Sequence, residues 1–261
     1  MSNHKTSPSQ SRREVLQLEI YHQTLRGAFW GSLGAIAKAE ELFKIERGLG
    51  QHFASRNARS LTYFAASSNA RNNARAKGVT LLEKIRWSLR ARSCLRRASK
   101  ISDELEDVVG LAGMTPDYLV VRAAILRRVG DKKRALACIE RALSHDLPPD
   151  LHVRVLSSKA DILDELDQDE AALAAFAEAY KLTRFVSAKT LVRFVKARGL
   201  FYLRHQKKLP AKLDLLAALR LAEDHDLRDL VAEIKPLLDE ITEYPEMTRS
   251  DFVFPLEEGT R

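Results

Sequence analysis

PDYLVVRAAILRRVGDKKRALACIERALSHDLPP, residues Pro116 to Pro149, decides the fold. Apolar residues recur at three- and four-residue intervals on both sides of Gly130-Asp131, which is the signature of amphipathic helices. The Gly-Asp pair supplies a turn between them. The stretch therefore reads as a helical hairpin, 117–129 and 132–145, bounded by Pro116 and by Pro148-Pro149.

Working outward, the second helix sets a pattern. Ala135, Ile139, Ala142 and Leu143 recur as Ala172, Phe176, Ala179 and Tyr180, and again as Ala211, Leu215, Ala218 and Leu219. A fainter copy is Ala91, Leu95 and Ala98. The preceding helices carry small residues at the matching place, Ala123, Ala160 and Gly199. Helices approach closely only where neither has bulk, and the large residue between two alanines fills the space beside the crossing. Further hairpins are expected at 150–166 with 169–182 and at 187–205 with 210–222. A last helix is expected at 227–241, capped by Asp226 and kinked by Pro236.

The pattern resembles the tetratricopeptide repeat over about residues 116–223. The 116–149 unit matches the family's length of about 34 residues. The later units are longer, and their turns read Asp167-Gln168 and Gln206-Lys207 in place of Gly-Asp. The resemblance implies an all-α fold, a right-handed superhelix of antiparallel helical hairpins with a terminal helix covering the open end of the stack. It also implies a protein-binding groove lined by first helices, presenting Arg127, Arg128, Arg193, Lys196 and Arg204 to an acidic segment. The family's chaperone-tail clamp needs asparagines there, and none occurs after Asn73.

Charge divides the chain. Residues 1–101 hold 19 of the 43 Lys and Arg but 6 of the 35 Asp and Glu, a net +13, and the remainder carries −5. Between Arg47 and Ser102 the one acid is Glu83. Helices are expected at 12–46, 51–77 and 80–101, with a short segment at 104–111 begun by Ser102 or Asp103. Asn57, Asn69, Asn72 and Asn73 weaken the second of these, so 67–77 reads partly as loop. Arg56, Arg59, Arg71, Arg75, Arg86, Arg90 and Arg97, with Arg92, Arg96 and Lys100, form a candidate polyanion-binding set. The expected organisation is a leader at 1–10, a basic helical module at 11–113, repeats with a capping helix at 114–241, and an extended tail at 242–261.

Little chemistry is written in the chain. It has no Gly-rich phosphate loop, no HExxH and no Cys/His zinc spacing. Cys94 and Cys138 read as core residues. His145 and His152 with Asp146 and Asp150, and His225 between Asp224 and Asp226, read as turn-capping polar groups. No catalytic residue, metal site or cofactor is expected. The longest apolar run, Ala28 to Ala37, is short of the roughly 20 residues that cross a bilayer. Ser11-Arg12-Arg13 lacks an uninterrupted apolar core behind it, so a cytoplasmic location is expected. The reading is a non-catalytic scaffold or adaptor that binds a protein or peptide partner. The alternative is a nucleic-acid-binding protein using the Arg-rich N-terminal helices.

Overall fold

The computed structural model describes residues 29–48, 53–76, 78–239 and 241, together with Arg12, Val15, Leu16, Glu19 and Ile20. The expected leader and tail lie outside the described residues. Among those described the protein is all-helical, with ten α-helices and no strand. They are α1 (Phe29–Gly48), α2 (Phe53–Arg75), α3 (Leu81–Val109), α4 (Pro116–Val129), α5 (Lys132–Leu143), α6 (Pro149–Asp164), α7 (Asp169–Lys181), α8 (Ala188–Arg204), α9 (Lys208–Asp224) and α10 (Arg228–Asp239). Single 3-10 turns occupy Leu111–Gly113 and Thr183–Phe185. The chain forms two compact units, Met1–His145 and Asp146–Arg261.

In the first unit α2 and α3 pack most extensively. α2 is continuous through Arg75, and no part of 67–75 is loop. Its poor propensity is overridden by tertiary contact. Ser60, Thr62, Ala66, Ser67 and Ala70 are buried, small enough to bring the helices close. The Ser67 hydroxyl donates to the Ala91 carbonyl at 2.8 Å and Ser60 to that of Ala98 at 3.3 Å. Tyr63, Leu95, Ala98, Ile101 and Ile125 form the adjoining core. Thr80 opens α3 with a capping box: the Glu83 amide donates to Thr80 Oγ1 at 3.3 Å, and the Thr80 amide to Glu83 Oε2 at 3.0 Å.

α3 runs unbroken to Val109, which corrects the expected break at Ser102 and Asp103. Those side chains do not cap a helix; they hold Arg122 of α4, which is 0% exposed. Arg122 donates to Ser102 Oγ at 2.6 Å, to Asp103 at 3.2 Å and to Glu106. Tyr118 donates to the same Ser102 hydroxyl at 3.1 Å. Arg134 of α5 joins Asp103 at 3.0 Å and Glu106 at 2.7 Å. One guanidinium thus ties the hairpin 116–143 to α3. Burial pulls its pKa down and the neighbouring carboxylate of Asp103 opposes this.

The alanine pattern is buried as its periodicity predicts. Ala135, Ile139, Ala142, Ala172, Phe176, Ala179, Ala211, Leu215 and Ala218 are all buried, as are Ala123, Ala160 and Gly199. A Cβ on Gly199 would stand 3.1 Å from Leu215 Cγ and 3.2 Å from Asp214 Cβ, which shows how near α8 lies to α9. In the second unit α6 also packs on α8, and Phe176 meets Phe194 and Phe201 edge-on at 6.2 and 5.6 Å.

The turns repeat too, in spite of their different sequences. Gly130, Asp167, Gln206 and Asp226 have φ of 97°, 59°, 56° and 50°. Each closes its helix with the same bond pair, from its own amide to the carbonyl three back and from the next amide to the carbonyl five back. For Gln206 these are 3.0 Å to Leu203 and 2.9 Å to Tyr202. This is the Schellman closure. Asp226 therefore ends α9 and does not cap α10.

Arg122→Met should lower unfolding free energy by about 1–2 kcal/mol, because Ser102 loses a buried donor while the part-exposed Asp103 and Glu106 keep Arg134; urea titration followed by circular dichroism measures it. Gln206→Gly should raise it by about 1 kcal/mol in the same assay, by removing the left-handed penalty of a side chain.

Candidate functional site

The α2–α3 hairpin turns through Gly78, whose φ is 80°. Where the last turns of α2 face the first turns of α3, the intervening residues are small: Ala74, Ser88 and Ala91. A cleft of ≈ 460 Å³ results, lined also by Arg71, Arg75, Lys84, Arg92 and Leu95. Four cations and no carboxylate line it. Glu83, the one nearby acid in sequence, is held in the Thr80 capping box, and those hydrogen bonds keep its pKa low.

The C-terminal turn of α4 adds charge to this neighbourhood. Arg128 lies 4.5 Å over the Phe64 ring and donates to Ser68 Oγ at 2.6 Å, both on α2. Burial lowers its pKa, and repulsion from Arg71, Arg127 and Arg75 lowers it further. A guanidinium stays protonated near neutral pH. The repulsion from Arg71, Arg127 and Arg75 adds to the larger effect of burial, and a bound anion would relieve it. Each charge-assisted hydrogen bond formed there would contribute about 1.5–3 kcal/mol.

The structure thus brings Arg71 and Arg75 near Arg128, which the sequence alone assigns to a different surface. It separates others from them. Arg59 lies 4.3 Å over Phe43 and pairs with Glu40 at 2.9 Å, and Arg56 lies 6.0 Å from the same ring. Arg97 donates to the Tyr63 hydroxyl at 3.0 Å. Arg90 lies 4.9 Å over Trp87, and Arg86 is exposed. Lys84 is a cleft residue that a search for arginine runs passes over; its spacing of four from Ser88, with Arg92 four further on, is the signal that places it.

In the second unit, Arg193 is exposed. Lys196 pairs with Glu233 of α10. Arg204 pairs with Asp164 at 2.5 Å and Asp161 at 3.3 Å on α6. Asp164 also meets His205 Nε2 at 2.6 Å, while His205 Nδ1 lies 3.4 Å from Asp169. Asp164, Asp169 and His205 are the one group of three potential metal ligands among the described residues. Arg204 already supplies a cation to its most buried member. Arg198 and Asp214 form a two-point bridge between α8 and α9, at 2.8 Å each. Burial would lower the Arg198 pKa, but Asp214 more than offsets this and the net shift is upward. Burial pushes both the Cys94 and Cys138 thiols up, away from the thiolate form a nucleophile needs.

Arg71→Gln with Arg75→Gln should move elution from heparin to lower salt and reduce the slope of log K against log salt by about 2. Arg59→Gln should leave elution in place and lower thermal stability. Unchanged elution of the double variant would reject the cleft. In comparison with known proteins, the sequence matches no family model and no curated protein at a significant level.

Proposed function

We propose that the protein is a non-catalytic helical adaptor whose basic cleft takes an acidic segment of a protein partner. The repeated hairpins of residues 116–223 are read as a tetratricopeptide-like superhelical scaffold, and the cleft lies before them in the α2–α3 hairpin. The observation that carries the reading is a cleft lined by Arg71, Arg75, Lys84 and Arg92 with no carboxylate among its lining residues. Ala74, with the small unburied edges of Ala91 and Leu95, puts apolar surface between the cations, which suits an amphipathic peptide better than a sugar-phosphate backbone. In the second unit, Lys196 and Arg204 already have carboxylate partners, which moves the weight of the reading from them to the cleft.

Nucleic acid is the second reading, favoured by the +13 charge of residues 1–101. Fluorescence anisotropy separates the two, using an Asp/Glu-rich peptide containing leucines and an oligouridine of equal charge. The full chain should bind the peptide more tightly at physiological salt, and Arg71→Glu with Arg75→Glu should weaken it by about 100-fold. Tighter binding of the RNA would establish the second reading. Peptide affinity indifferent to the charge reversal would reject the cleft.

A further inference from the structure

α3 has a second working face besides the one that meets the core and lines the cleft. Ala91, Leu95 and Ala98 point into the core. On the opposite side, at about 3.6 residues per turn, Leu81, Leu82, Ile85 and Leu89 form one stripe. Their exposures are 73%, 74%, 48% and 59%. Four large aliphatic side chains side by side in water is not the scattered surface leucine of an ordinary protein. Leu81 and Leu82 follow directly on the α2–α3 turn, where Ala76, Gly78 and Thr80 are exposed as well. The stripe therefore sits at the tip of a helical hairpin.

Along α3 from Lys84 to Lys100 every charged residue is basic. Arg86 flanks the stripe, and Arg92 and Arg96 continue its line along the helix; all three are exposed. Arg75 stands on the last turn of α2 and Arg71 one turn before it. The acid within the stripe's own span is Glu83, which is committed to the Thr80 cap.

We infer that this hairpin tip docks on an anionic lipid surface, with Leu81, Leu82, Ile85 and Leu89 entering the headgroup–acyl boundary and the flanking arginines meeting lipid phosphates and carboxylates. Three features select lipid over other occupants. The four side chains project from one helix and none of them lines the cleft, so they offer a ridge to a yielding apolar medium. Arginine stems can lie along that medium while their heads stay at the polar level. Apolar insertion and attraction to anionic headgroups act together in interfacial helices. The site goes beyond the adaptor reading: none of the four ridge side chains lines the cleft, and Arg92 borders both.

The test is co-sedimentation of the full chain with vesicles of phosphatidylcholine alone and of phosphatidylcholine with about a third phosphatidylserine. The wild type should partition to the anionic vesicles and stay in solution with the neutral ones. Leu82→Glu with Ile85→Glu should reduce partitioning by about tenfold or more. Both positions are exposed, so folding is retained and is checked by circular dichroism. Equal partitioning of variant and wild type would overturn the ridge. So would failure of the wild type to bind any vesicle. A wild-type dimer that the variant converts to monomer, without vesicle binding, would assign the ridge to a second copy of the chain. Binding of the acidic peptide lost in this variant, again without vesicle binding, would assign it to a protein partner.

Discussion

The buried guanidinium of Arg122 is the interaction on which the first unit depends. It reaches Ser102, Asp103 and Glu106 on successive turns of α3 from the middle of α4, and Arg134 reaches the two acids from α5. Two cations and two carboxylates form a closed network in which neither sign is left alone. Such a network is weak evidence for net stability, since desolvation opposes the Coulomb gain. Its structural effect is to fix register. Only one setting of α4 on α3 brings the fork of Arg122 to Ser102 and both acids, so the hairpin 116–143 is held in one position.

Other acids of the first unit are committed as well. Glu19, Glu40 and Glu41 are paired with Lys38, Arg59 and Arg12. Glu83 closes a helix cap, and Asp103 and Glu106 serve Arg122 and Arg134. These acids thus pair with structural cations of the first unit or close a helix cap. The cations at the α2–α3 cleft line it without a carboxylate. In the second unit the balance is different: Arg198 with Asp214, Arg204 with Asp164 and Lys196 with Glu233 are internal pairs. The same residue types therefore form internal pairs in both units and leave a positive surface at the cleft of the first.

The hairpins show how one geometry tolerates different sequences. Glycine at 130 enters the left-handed region without penalty, while Asp167, Gln206 and Asp226 reach it with a side chain. The closure survives because two backbone hydrogen bonds at each turn satisfy carbonyls that the helix end would otherwise leave open. The small residues are less negotiable. At Gly199 the facing atoms of Leu215 and Asp214 stand where a Cβ would meet them at little more than 3 Å.

The sequence by itself determined the helices from 116 onward, the buried faces of their alanines, and the concentration of positive charge before residue 102. These follow from local periodicity and counting, which need no knowledge of what packs on what. Arg71 and Arg75 were legible as candidates, but so were Arg56 and Arg59, and only Phe43 and Glu40 distinguish the two pairs. Tertiary structure alone decided that α2 is helical to Arg75, that Ser102 and Asp103 hold an arginine instead of starting a helix, and that Arg128 stands beside Arg71 and Arg75. The reason is physical. Hydrogen bonds from Ser60 and Ser67 across to α3, the burial of Arg122, and the meeting of charges some fifty residues apart in the chain all depend on where helices cross, and a helix's own sequence specifies its faces but not its neighbours.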